Sequence, residues 1–103
     1  MKKTYLGNAF SLQMLKGDCA IKIEEISLEE VKKETVISVV GHADTAAVLS
    51  TMLGVDVLMN RVSLTLEPED TLIVAQLTGG RLPEGATELP EGFTFKFLKV
   101  TFL

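Results

Sequence analysis

Tryptophan is missing from this 103-residue chain, aromatics make up 6% of it, and cysteine and histidine each occur once, as Cys19 and His42. One cysteine excludes an internal disulfide and leaves a Cys/His metal site without ligands; Cys19 reads as a half-buried strand residue in a chain suited to a reducing cytosol. No apolar run approaches the roughly 20 residues that span a bilayer, so no membrane partner is expected. The two lysines near the start are not followed by an apolar stretch with a small-residue cleavage site, so a signal peptide is not expected either. Basic charge is also scarce. Fourteen acidic residues outnumber ten basic ones, for a net charge of −4, and a duplex-DNA binder would need the opposite balance. Eight of the ten basic residues are lysines, which makes the two arginines, Arg61 and Arg81, informative. Their planar guanidinium is the side chain best shaped to grip a phosphate.

What remains is a chain that is 47% apolar and 23% charged, a balance typical of a globular fold. Its length suits one domain with a modest core, and the slightly high hydropathy leaves apolar surface for a second copy to cover, as in a homodimer. Lys3 to Gly7 reads as a strand, followed by a turn at Asn8 and a short helical piece to Leu15 with Ser11 as its N-cap. Ala20 to Ile26 alternates apolar and charged residues, the period of a half-buried strand. Ser27 and Glu30 form a capping box for a helix over Leu28 to Glu34. The β-branched run Thr35 to Val40 reads as a buried central strand, and a helix begins at Asp44 or Thr45 and stops at Gly54. Arg61 to Leu66 and Thr71 to Thr78 read as a hairpin about a solvated acidic turn, Glu67 to Asp70. After a loop from Gly79 to Gly92, Phe93 to Leu103 forms a last strand. The order predicts a single α/β domain over residues 1–103, with a mixed sheet of five or six strands flanked by helices.

His42 lies between a strand end and a helix start, where ligands of open α/β sheets bind and where helix amides favour an anion. As a lone histidine it reads equally as a cap or a surface residue. Arg81 follows a strand within a glycine-rich segment that lets backbone approach a ligand, and Glu84, three residues on, can orient the guanidinium or accept a ligand hydroxyl; the plain alternative is a surface loop with a weak ion pair. The acidic run Glu67, Glu69, Asp70 is interrupted by proline, so no metal is assigned. Phosphate-loop, catalytic-triad and dinucleotide motifs do not occur. On residue chemistry alone, the reading is an anion-binding pocket with a candidate proton donor.

Four short segments, in order, carry a resemblance: Tyr5 to Ser11; Gly41, His42 and Thr45; Asn60, Arg61 and Val62; and Arg81, Leu82, Glu84 and Gly85. Together they resemble the viral ring nucleases, anti-CRISPR proteins that suppress type III signalling, over about residues 3 to 85. The stretch from Gln76 to Arg81 is one residue longer than the family pattern, through Gly79 and Gly80, and Gln13 stands where some relatives have asparagine. The resemblance implies a homodimer that binds cyclic tetra-adenylate near the dimer interface and cuts it without metal or cofactor into linear di-adenylates ending in a 2′,3′-cyclic phosphate. It further implies that His42 is the general acid, with Arg81 and Glu84 beside it in catalysis. Asn8, Ser11, Arg61, Leu64 and Gln76 are implied as ligand contacts, and the host cytoplasm as the place of action. Two other classes remain open: a protein that sequesters the cyclic nucleotide without cutting it, and a small protein-interaction factor.

Overall fold

In the computed structural model, which describes residues 2–103, five strands form one mixed sheet in the order β2-β5-β4-β1-β3. The strands are β1 (Thr4–Gly7), β2 (Ile21–Ile26), β3 (Ile37–Ser38), β4 (Thr71–Thr78) and β5 (Thr94–Phe102), with helices α1 (Leu28–Lys32) and α2 (Ala43–Leu53) and one 3-10 turn at Leu12–Met14. β1 runs parallel to both β3 and β4, while β5 is antiparallel to β4 and β2. Three strands therefore end at the same side of the molecule, and the segments that follow them build the candidate site.

The sheet has two dry faces. On one, Leu6, Ile73, Ala75 and Phe97 pack against Val31 of α1 and Ala46, Leu49 and Leu53 of α2. On the other, Leu72, Val74 and Val100 lie under Tyr5, Phe10, Met14, Leu64 and Leu66. Neither α1 nor α2 covers this second face. Two irregular segments do so, and Leu66 N–H donates to Met14 O at 2.7 Å to tie them together.

That arrangement explains why Arg61 to Leu66 is not a strand. Leu64 and Leu66 alternate inward as strand residues would, yet they lie across the sheet face and do not join its ladder. Consequently no hairpin forms around Glu67 to Asp70. The turn is real, with Asp70 N–H donating to Glu67 O at 3.0 Å, but it is only partly solvated: the Asp70 carboxylate is buried, and its Oδ2 accepts from Glu67 N–H at 2.9 Å.

β3 is a two-residue edge strand, not a central one. Its outer side is covered by side-chain and loop bonds in place of another strand. Ser38 Oγ donates to Leu58 O at 2.6 Å, Asn60 Nδ2 donates to Ser38 O at 2.8 Å and Asn60 N–H donates to Val40 O at 2.7 Å. Cys19 is exposed and lies ahead of β2, outside the sheet. Both anticipated caps are formed, Ser27 Oγ accepting from Glu30 N–H and Ser11 Oγ from Gln13 N–H, and Gly54 ends α2 in the left-handed conformation at φ 72°.

Candidate functional site

His42 is the N-cap of α2. It holds the extended backbone a cap requires, and its Nδ1 accepts from Thr45 N–H at 3.3 Å. A nitrogen that accepts cannot carry a proton, so in this arrangement the ring's proton sits on Nε2. The cap thus sets the tautomer as well as the position of the imidazole.

Asn8, at the end of β1, accepts from Gly41 N–H through Oδ1 at 3.1 Å. This bond joins the end of β1 to the turn that presents His42, and it leaves the Asn8 amide group as a free donor. A cleft of about 420 Å³ opens here, lined by Asn8, His42, Thr45, Ala75, Leu77, Gly80, Arg81 and Leu82. Its floor is the helix-side face of β4.

The loop between β4 and β5 brings Arg81 to this cleft. Leu82 is buried beneath it, Gly85 N–H donates to Asp44 Oδ1 at 3.1 Å, and Thr51 Oγ1 donates to Thr87 O at 2.7 Å, so the loop is laced along α2. The glycine pair Gly79 and Gly80 lets the chain cross its own return. A Cβ on Gly79 would lie 2.8 Å from Gly92 O and 2.9 Å from Phe93 Cα, and Gly79 and Gly80 adopt φ of 111° and 133°. Arg81 reaches the cleft that His42 lines.

Asn8 also borders two further hollows on the other sheet face. One, of about 340 Å³, is lined by Phe10, Ile23, Val74, Gln76, Leu98 and Val100 in addition to Asn8 and Ala9. The other, of about 170 Å³, includes Arg61, Val62 and Leu64. Arg61 packs beside the turn before His42, since a Cβ on Gly41 would meet Arg61 Cγ at 3.3 Å. The anticipated residues therefore gather around the ends of the parallel strands but on both sides of the sheet, with Asn8 at the divide.

Two of them stand apart. Ser11 is exposed and occupied as a cap, and Glu84 is exposed in the Arg81 loop without a hydrogen bond or ion pair among the described residues. Lysines form ion pairs on the surface: Lys16 with Glu67, Lys22 with Glu24, Lys32 with Glu29 and Lys96 with Glu25. Arg61 and Arg81 are exposed and unpaired beside the hollows, which leaves two guanidinium forks available to an anionic ligand. Residue chemistry alone missed Thr45, which supplies the capped N–H, and Asp44, which tethers the loop. Leu82, one of two leucines in an otherwise mostly polar loop, was the available sign of an anchor. No group of three His, Cys, Asp or Glu side chains suited to a metal ion occurs among the described residues, and no described helix is long and apolar enough to cross a membrane.

The chain belongs to a family of viral proteins: residues 4–95 match the STIV B116-like family. Among its relatives is a protein of the Sulfolobus islandicus filamentous virus, named only "Uncharacterized protein 26". It is 35% identical over 86 residues, 79% of this chain and 72% of the relative. The structure of B116 of Sulfolobus turreted icosahedral virus superposes with a TM-score of 0.78 at 25% identity, over 96% of this chain and 98% of that one.

Proposed function

We propose that this protein is a metal-independent ring nuclease that binds cyclic tetra-adenylate and cuts it into linear di-adenylates, suppressing type III CRISPR signalling. The observation that carries the reading is the meeting of His42, Asn8 and an unpaired Arg81 around one cleft at a helix N-terminus. In the reaction, a ribose 2′-oxygen attacks the adjacent 3′-phosphorus. The new 2′-O–P bond replaces the P–O5′ bond, the 2′-hydroxyl proton leaves to solvent, and Nε2–H of His42 delivers a proton to the departing O5′. Holding the 2′-oxygen in line with O5′ supplies much of the acceleration, and proton donation typically adds 10²- to 10⁴-fold. Arg81 neutralises charge that develops on the phosphate.

The cap bears on this step. The imidazolium is the stronger acid and carries a proton on Nδ1, so it gives up the bond to Thr45 N–H. A phosphate at the helix N-terminus can take over that amide, freeing the ring for donation. The ring's own two-fold symmetry matches two copies of the protein meeting at their site-bearing sides. Exposed Leu58, Met59 and Val62 beside Arg61 offer apolar surface for that meeting.

Incubation with labelled cyclic tetra-adenylate in EDTA tests the reading. Expected is a di-adenylate with a 2′,3′-cyclic phosphate, and His42→Asn should keep binding while losing at least about 10²-fold in cleavage rate. Intact ligand after incubation with the wild-type protein would overturn it. A sequestering protein that binds without cutting is favoured by one observation, the separation of Glu84 from hydrogen bonding with Arg81 or His42. That protein would release the uncut ring on denaturation.

A further inference from the structure

Nδ1 of His42 faces two groups of one residue, Thr45. The backbone N–H lies 3.3 Å away and Oγ1 lies 3.4 Å away. An amide N–H only donates, whereas a hydroxyl has one donor and two acceptor lone pairs, and it turns about its own bond without moving a heavy atom. Against a neutral imidazole, whose Nδ1 accepts, either group serves. Protonation changes that. Nδ1 then carries a hydrogen of its own, the amide opposes it donor to donor, and Oγ1 is the acceptor within reach. Thr45 is only 8% exposed, so water has little room to take that place, and its hydroxyl makes no other hydrogen bond among the described residues.

We propose that Thr45 is a positioning residue for His42: its hydroxyl accepts from Nδ1–H once the imidazole is charged, and so holds the side chain beside the strand-end cleft in both protonation states. The amide fixes the neutral form, and the hydroxyl fixes the charged one. The catalytic consequence rests on the nuclease reading. A general acid loses its proton in each turnover and takes up another, so it passes through both states. While a phosphate occupies the amide, the hydroxyl keeps the imidazole aimed, and by stabilising the charged form it keeps His42 loaded at higher pH.

The other groups around His42 are the N-terminus of α2, Arg81 and Glu84 on the β4–β5 loop, Arg61 beside Gly41, and Asp44, whose Oδ1 accepts from Gly85 N–H. The guanidiniums and the helix end disfavour a charged imidazole, and the carboxylates favour it. Substitution at Thr45 removes none of them, so a change in titration there reports the hydroxyl.

Two variants separate this role from space-filling. Thr45→Val keeps the shape of the side chain and the backbone N–H but loses the hydroxyl, while Thr45→Ser keeps the hydroxyl and loses a methyl group. If Thr45 only fills space, valine is the better replacement; if it serves His42, serine is. NMR titration of ligand-free, isotope-labelled full-length protein reads the order directly, because one histidine gives one set of imidazole signals. Thr45→Val should release the imidazole proton about half to one pH unit below the wild type, with Thr45→Ser close to the wild type. The neutral imidazole should carry its proton on Nε2 in all three, since the amide remains. Cleavage followed against pH should fall away at correspondingly lower pH in Thr45→Val, with kcat down about 3- to 10-fold above that point and KM changed less. Thr45→Ser should restore the profile. Melting curves check that both variants are folded. A Thr45→Val imidazole that titrates with the wild type, or a Thr45→Ser imidazole that shifts as far as Thr45→Val, overturns the proposal, as does a neutral form protonated on Nδ1. The titration needs no ligand. Uncut cyclic nucleotide with the wild-type protein would therefore remove the nuclease reading, and the coupling of Thr45 to His42 would still be decided by the NMR order.

Discussion

His42 caps α2 in the structure and is the proton donor of the proposed reaction, two roles that substitution can separate. Alanine removes both the cap and the proton donor, and should lower stability by about 0.5–1 kcal/mol. Asparagine, a good N-cap, should keep the thermal midpoint within error of the wild type while cleavage is lost; the comparison needs only a thermal melt beside the cleavage assay. The succession of strand, glycine and helix around His42 was legible in the chain, although the strand ends at Ser38 and not Val40, and the helix starts at Ala43, ahead of the expected Asp44 or Thr45. The cap itself was one of two readings for a lone histidine, because a side chain's partner depends on where its own backbone leaves the previous strand. Arg81 was legible for a different reason. Arginine is scarce here, and the structure leaves both arginines without the acidic partners that lysines take. Glu84 fits less well, since neighbours three apart in a loop need not face each other as they do on a helix.

At the scale of elements, patterning succeeded where one face of a segment packs on a regular neighbour. β4 spans the expected Thr71–Thr78, and α2 ends at the expected Gly54. It failed at Arg61 to Leu66, where the same alternation of apolar residues serves a segment laid across the sheet. It also misplaced β3, since a run of β-branched residues does not reveal whether a strand or a loop lies beyond it. The β4–β5 loop gives this scale its prediction. Gly79→Ala combines a positive φ of 111° with a Cβ 2.8 Å from Gly92 O, so it should cost about 2 kcal/mol or more. In a domain of this size that lowers the melting midpoint by roughly 10 °C. A melt within a degree or two of the wild type would show that the loop can cross elsewhere.

For the whole molecule, the sheet order could not be read from the chain. It depends on β1 lying between β3 and β4, strands drawn from distant parts of the sequence. That placement brings Asn8, His42, Arg61 and Arg81 to one end of the protein while dividing them between two faces. Hydrogen exchange should reveal the division. Cyclic tetra-adenylate at saturating concentration should slow exchange around residues 8–10, 41–45, 60–64 and 79–85 together. The outer edge of β2 should be unaffected by ligand. Protection limited to the helix-side cleft would place the ligand on one face only.

The division of cationic labour between lysine and arginine has a consequence for how such a protein changes over generations. Lysines stitch the surface, and the two arginines carry no stitching. Changes at Arg61 or Arg81 therefore break none of these ion pairs. Either guanidinium can be exchanged one residue at a time while the network of lysine ion pairs stays whole.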